Sequence, residues 1–166
     1  EKAQAESSGF YYNRGINKFD AGDYQGAISD YSRAIKLNPN FADAYYNRAG
    51  AKRKLGDYPG ALFDYSEVIK INPRDLEAIK YRGIMKFKLK DFRGAWSDYD
   101  DYIEIDPISD AEIYFYRGNA KYELKFFYQA LDDYDKAIAI NPRDANSYFN
   151  RGNLATKFKN YNAAID

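Results

Sequence analysis

Apolar residues in this chain recur at helical spacing and break at regular intervals. In "AISDYSRAIKLNPN" (Ala27–Asn40), Ala27, Ile28, Tyr31, Ala34, Ile35 and Leu37 fall three or four residues apart or side by side, the pattern of one helix face. Asn38-Pro39 ends that face, because proline cannot continue a hydrogen-bonded turn and disfavours helical geometry in the residue before it. Upstream, Tyr11, Gly15, Lys18 and Phe19 lie along one side of an earlier helix. "GDY" at Gly22–Tyr24 interrupts it, and Asp23 is placed to cap the helix that follows. The pattern predicts a helical hairpin over residues 8–41.

That hairpin is repeated. "ALFDYSEVIKINPR" (Ala61–Arg74), "AWSDYDDYIEIDPI" (Ala95–Ile108) and "ALDDYDKAIAINPR" (Ala130–Arg143) reproduce the first stretch, and Pro39, Pro73, Pro107 and Pro142 are spaced 34, 34 and 35 residues apart. Such a period means stacked supersecondary units. The prediction is an all-α chain of about four and a half helix-turn-helix repeats, over residues 8–41, 42–75, 76–110, 111–144 and a truncated 145–166, forming one solenoid domain. Pro59 fits, since in the first turn of a helix its missing N–H costs nothing.

Within each repeat an aromatic or large apolar residue is followed four positions on by a small one, then by Ala, Tyr and Pro. Tyr11, Gly15, Ala27, Tyr31 and Pro39 do this first; Tyr45, Ala49, Ala61, Tyr65 and Pro73 do so next. Ile79, Gly83, Ala95, Tyr99 and Pro107 follow, then Tyr114, Gly118, Ala130, Tyr134 and Pro142; the fifth repeat begins with Tyr148, Gly152 and Ala164 and stops. This pattern resembles the tetratricopeptide repeat (TPR) family almost end to end. The resemblance implies a right-handed superhelix of helical hairpins whose first helices line a concave groove. It also implies a non-catalytic role, binding an extended peptide or a partner protein there. Asp166 falls inside the second helix of the fifth repeat, with no polar capping helix after it. The expectation is a fragment of a longer repeat protein, or an open end that packs against another molecule.

Where the family usually has Leu before the small residue, this chain has Arg14, Arg48, Arg82, Arg117 and Arg151; Lys18, Lys52, Lys86 and Lys121 follow four residues later. Two cationic rows at that spacing repel. Asp30, Asp64, Asp98 and Asp133 precede the core Tyr of each complete second helix, so each arginine is expected to pair with an aspartate of a neighbouring helix and not to serve as a ladder for an anionic ligand.

The remaining rows of the first helices are the candidate groove. Tyr12, Tyr46, Lys80, Phe115 and Phe149 form one row, and Asn13, Asn47, Tyr81, Tyr116 and Asn150 the next. Ile16, Gly50, Ile84, Asn119 and Asn153 form a third. Asparagine offers donors and an acceptor to a peptide backbone whatever its sequence, and the aromatic neighbours supply apolar contact. Charges on this face, among them Asp20, Arg53, Lys54 and Glu77, nearly balance. The carboxylate clamp of chaperone-binding TPR domains is absent: Tyr12 and Ile16 stand where it needs Lys and Asn, and Glu77 and Tyr81 where it needs Lys and Arg.

The third repeat departs from the others, with Trp96, Tyr102 and a connector, "DPISDAE", one residue longer. Its acids, Asp98, Asp100, Asp101, Glu104, Asp106, Asp110 and Glu112, follow no calcium-loop spacing and read as a solvated face.

Composition narrows the functions further. With 25 basic and 25 acidic residues there is no net field to draw nucleic acid or an anionic membrane, and no apolar run approaches a membrane span. The absence of Cys and His removes thiol and imidazole chemistry and the zinc sites that use those ligands. No cofactor or metal is implied. Ala3-x-Ala5 has the form that precedes signal cleavage but no apolar segment lies upstream, so a cytoplasmic location is favoured over export. The expected function is a protein-interaction scaffold. The alternatives are self-association through the open end and the targeting segment of a larger enzyme.

Overall fold

The computed structural model of the protein describes residues 7–107 and 110–162, with side chains up to 157. Ala3-x-Ala5, Ile108 and Ser109 of the third connector, and Ala164 and Asp166 lie outside the described residues. Nine helices are present among them and no strand: α1 (Ser8–Asp20), α2 (Tyr24–Leu37), α3 (Ala42–Lys54), α4 (Tyr58–Ile71), α5 (Leu76–Lys88), α6 (Phe92–Ile105), α7 (Ala111–Glu123), α8 (Phe127–Ile140) and α9 (Ala145–Asn162). Their contacts fall into an N-terminal unit, Glu1–Leu89, holding α1 to α5, and a C-terminal unit, Lys90–Asp166, holding α6 to α9.

The turns inside the hairpins follow from three side chains. Asp23, Asp57 and Asp91 cap α2, α4 and α6, accepting hydrogen bonds from the backbone N–H of Gly26, Gly60 and Gly94 at 2.8, 2.9 and 2.9 Å. A Cβ on Gly26 would sit 2.0 Å from the Asp23 carboxylate, so the cap requires glycine three residues on. The fourth repeat has Phe126 and Gln129 at these places, and no side chain caps α8. One residue before the cap, Gly22 and Gly56 take φ of 80°, a left-handed conformation that lysine must adopt at Lys90 and Lys125, with φ of 65° and 67°. Asn38, Asn72 and Asn141, each followed by proline, end their helices outside the helical region, Asn38 and Asn72 in extended geometry.

The hairpin cores repeat the sequence pattern. Ala27, Ala61, Ala95 and Ala130 are fully buried, as are Tyr31, Tyr65, Tyr99 and Tyr134. A Cβ on Gly15 would come within 2.6 Å of the Tyr31 ring, and one on Gly118 within 2.8 Å of Tyr134, which is why the first helix carries a small residue at the crossing.

The arginine row is architectural. Arg14 donates from Nε and Nη2 to the two oxygens of Asp30 at 2.8 and 2.5 Å. Arg48 holds Asp64 in the same fork at 2.9 and 2.6 Å, and Arg117 holds Asp133 at 2.9 and 2.6 Å. Lys18, Lys52 and Lys121 complete each site at 2.8, 2.8 and 2.7 Å from one of the same oxygens, so the two cationic rows share one buried carboxylate per hairpin. The Arg14, Arg48 and Arg117 guanidiniums also lie 5.1 to 5.4 Å from the rings of Tyr11, Tyr45 and Tyr114. Arg14 beside it holds the Asp30 carboxyl down at about 2, against the opposing effect of burial.

The same arginines reach back to the preceding repeat. Arg48 donates to Ser32 Oγ at 2.9 Å, Arg117 to Asp100 at 2.7 Å and Arg151 to Asp135 at 2.5 Å. Each of these therefore joins two consecutive repeats. Of the acids of the third repeat, Asp100, Asp101, Glu104 and Glu112 are exposed, as a solvated face requires, with Asp100 also meeting Arg117 and Asp110 capping α7 by accepting from the Glu112 N–H at 2.8 Å; Asp98 is the exception and is buried. Asp98 differs because it precedes the core Tyr99, where the hairpin packs.

Candidate functional site

In the N-terminal unit the first helices of three successive repeats, α1, α3 and α5, border a recess of about 300 Å³. Helix periodicity brings them there: positions 16, 19 and 20 of α1 and 46, 47, 50 and 53 of α3 are three or four apart or adjacent, so each set shares a face. Tyr81 of α5 forms one wall, and the core tyrosines Tyr31 and Tyr65 form the floor.

The walls are mutually stacked. Tyr81 lies parallel to Tyr65, their centroids 5.6 Å apart at 17°, and Tyr46 meets both edge-on at 6.2 and 5.6 Å. Burial pushes the Tyr46 phenol up to about 12, with neighbouring Tyr81, Glu77 and Asp75 adding to the effect. Tyr31 is likewise pushed to about 12, chiefly by burial. These phenols are neutral at physiological pH and act as donors and acceptors, not as acids or bases.

Of the groove residues expected from sequence, Tyr46, Asn47 and Tyr81 meet in this recess. Tyr12 joins them indirectly: its ring packs on Phe41, centroids 4.7 Å apart, and its hydroxyl accepts a hydrogen bond from the Asn47 amide at 2.9 Å. Lys80 is engaged with Glu77 at 2.9 Å and lies 5.7 Å from the Tyr81 ring. In the C-terminal unit Phe115 packs against Tyr116 and Tyr134, and Tyr116 stacks on Tyr99. There the Asn119 carbonyl oxygen accepts from Asn150 at 2.8 Å and from the Tyr134 hydroxyl at 2.9 Å. Asn13, Phe149 and Asn153 are exposed, Phe149 at 69%.

The asparagines thus have a second role that sequence alone does not reveal. Asn47 ties α3 to α1 and Asn150 ties α9 to α7, so each links the first helices of adjacent repeats. What sequence reading missed is Arg53, counted only among charges that balance. Its guanidinium lies 4.9 Å from the Tyr81 ring, lining the recess, and acts on the Tyr65 phenol by charge and by a side-chain hydrogen bond. Its Nε is buried and has no hydrogen-bond partner. The signal was the absence of an aspartate sixteen residues on, where Arg14, Arg48 and Arg117 each have one: position 69 is Ile69.

Hairpins of equal period, stacked through small residues and bordering an aromatic recess with their first helices, define a helical-repeat protein. Family models described as "TPR repeat" match residues 18–52, and models described as "Tetratricopeptide repeat" match 42–75, 111–144 and 133–166. The chain belongs to the tetratricopeptide repeat family. Comparison with curated proteins finds no significant sequence match. Among solved structures, MamA 41-end from Desulfovibrio magneticus RS-1 is 20% identical with a TM-score of 0.88, over 98% of this chain and 92% of that one. A tetratricopeptide repeat protein from Parabacteroides merdae is 23% identical, with a TM-score of 0.82 over 99% and 64% of the two chains. The first TPR of Spaghetti (RPAP3), bound to the HSP90 peptide SRMEEVD, is 20% identical with a TM-score of 0.68, over 71% and 93%. At these identities the likeness shows the fold: an all-α TPR solenoid.

Proposed function

We propose that the chain is a protein-interaction scaffold that holds an extended peptide segment against α1, α3 and α5. The observation that carries this reading is the recess walled by Tyr46 and Tyr81, with Asn47 on its edge. Stacked tyrosines offer rigid apolar area at low entropic cost. Asn47 spends one N–H on Tyr12; its second N–H and its carbonyl oxygen suit a peptide backbone. The structure of Spaghetti's first TPR with an HSP90 peptide supports a peptide ligand for this fold, although the clamp residues that the chaperone-binding class uses are replaced here. The rows in the C-terminal unit, around Phe115, Tyr116, Asn119 and Asn150, extend the same reading, with Tyr12, Asn13, Lys80, Phe149 and Asn153 at their margins.

Gly50 gives the cleanest test. It lines the recess, and a Cβ there would meet only Phe19, at 3.9 Å, so Gly50→Leu starts from an unhindered Cβ, projects its side chain into the recess and favours the helix. Peptides selected from a random display library on the natural protein should lose binding to Gly50→Leu while its melting temperature holds or rises. Equal capture by both would refute the groove.

A second reading, self-association, draws on α9. Tyr148 is 49% exposed, although its counterpart Tyr11 is 4% exposed, and Phe149 lies beside it. A second copy covering this face would make the molar mass rise with concentration, and Tyr148→Ser with Phe149→Ser would abolish that rise.

A further inference from the structure

The geometry points to Arg53 as a receptor for a carboxylate: we infer that the recess takes the side chain of a glutamate or aspartate within the bound segment. The inference rests on the peptide-groove reading and specifies its ligand.

Half-buried arginines beside aromatic rings occur elsewhere in this chain, and there they meet an acid. Arg48, with its side chain 14% exposed, forks onto Asp64, and Arg117, 12% exposed, forks onto Asp133 and also meets Asp100. Arg53 has the aromatic partner, Tyr81 at 4.9 Å, and a side-chain hydrogen bond to the Tyr65 phenol, but among the described residues it contacts no carboxylate. Its buried Nε–H donates to nothing. An unsatisfied buried donor costs free energy that a ligand acceptor returns, and a charged acceptor returns more than a neutral one. Apolar walls around the guanidinium lower the local dielectric and strengthen such a bond.

Two features favour a side chain from mid-segment over a chain end. The recess of about 300 Å³ holds a side chain together with part of its backbone. Asn47, on the same face of α3 as Arg53, suits the backbone on either side of the inserted residue. Asp20 also lines the recess and is exposed. As a like charge near the entrance it opposes the ligand, so removing it tightens binding.

The test uses ¹⁵N-labelled full chain and three probe peptides. These are acetyl-Ala-Glu-Ala-amide, its Gln isostere, and acetyl-Ala-Gln-Ala with a free C-terminus. The Arg53 Nε–Hε resonance, assigned by its loss in Arg53→Lys, should move saturably with the Glu peptide and remain in place with the Gln peptide. The free-carboxyl probe should bind at least several-fold more weakly than the Glu peptide. Arg53→Gln should weaken the Glu peptide about tenfold or more, the loss of one charge-assisted bond, and Asp20→Asn should tighten it. Equal shifts with the Glu and Gln peptides would overturn the carboxylate assignment and leave the peptide groove standing. Stronger binding of the free-carboxyl probe would replace the side chain by a chain end. If display peptides compete at Gly50 but no probe moves Arg53, only this inference falls.

Discussion

The shared-carboxylate sites make a graded prediction about stability. Asp64 is fully buried, and the Arg48 and Lys52 side chains that hold it are 14% and 17% exposed. Asp30 is equally buried, but its partners Arg14 and Lys18 are 40% and 35% exposed. Replacing either aspartate by alanine removes the same atoms from the same position of the repeat, so cavity terms nearly cancel in the comparison. What differs is how far the abandoned cations can turn to water. Around Asp64 they remain largely enclosed, and removing the acid should cost about 3–5 kcal/mol, the range for breaking one side of a buried ion pair. Around Asp30, solvent screening and freer side chains should reduce the loss to roughly 1–2 kcal/mol. For a chain of this length the Asp64→Ala loss corresponds to a fall in melting temperature of roughly 10 °C.

Thermal and guanidinium unfolding followed by far-UV circular dichroism would measure both variants. Equal losses within about 0.5 kcal/mol would refute the exposure argument, because additivity errors alone are of that size. A third variant tests whether the ion cluster contributes net stability. Arg48→Met with Lys52→Met and Asp64→Leu removes every charge at once, and should recover most of what Asp64→Ala loses, since a buried cluster repays little beyond its own desolvation. Failure to recover would mean that Ser32, which Arg48 also binds, matters more than the aspartate.

Three further outcomes follow from particular side chains. Because Arg14 holds Asp30 at about 2 in the folded chain, the folded state binds fewer protons than the unfolded state between pH 4 and 2; its contribution is intact above the unfolded value near 4 and is lost as pH falls through about 2. That contribution is about 1 kcal/mol after allowing for the exposure of Arg14, and Asp30→Asn should flatten the acid limb of stability against pH accordingly. On the alkaline side, burial holds the Tyr46 phenol at about 12, so the stability it lends is complete below pH 10 and falls as pH rises from 10 towards 12; Tyr46→Phe should shallow that fall in an alkaline urea series, and late phenolate absorbance should diminish with it. In the turns, Lys125→Gly should raise stability by about 1 kcal/mol by relieving a left-handed lysine, whereas Gly26→Ala should lower it by about 1 kcal/mol by displacing the Asp23 cap, both read from melting curves.

Much of the fold was legible because a single pattern is stated four times. Ala27 and Tyr31, with their three sets of counterparts, are buried in the order their spacing requires, and the Arg–Asp rows were readable as pairs from their constant offset. The caps were half legible. Asp23 is recognisable as an N-cap, but the need for Gly26 emerges only when a Cβ is seen to strike its carboxylate. The candidate site was less legible because its residues face two ways. Sequence places Asn47 on the groove side, yet its amide is bound to a hydroxyl thirty-five residues away, a contact that depends on how one hairpin leans on the next. No local signal carries that information. Phe149 illustrates the opposite case: it shares a row with Tyr12, but no following repeat packs over it among the described residues, and it is exposed.

A net charge of zero conceals an uneven distribution of partners. In the described pairs, arginines at the small-residue crossing find an aspartate sixteen residues later because the second helix returns antiparallel at that distance. An arginine five residues further along the first helix, as Arg53 is relative to Arg48, has rotated by about 500°, or some 140° round the axis, and leaves the hairpin seam for the recess. The same side chain therefore stabilises the fold at one position and at the other is held against Tyr81 with a donor unspent. Bulk charge balance cannot separate these roles; offset along the helix can. Where a crossing arginine lacks its acid at the sixteenth residue, or an arginine stands off the crossing altogether, the partner has to come from another element or from a ligand. In the N-terminal unit Arg53 is the arginine to which that reasoning leads.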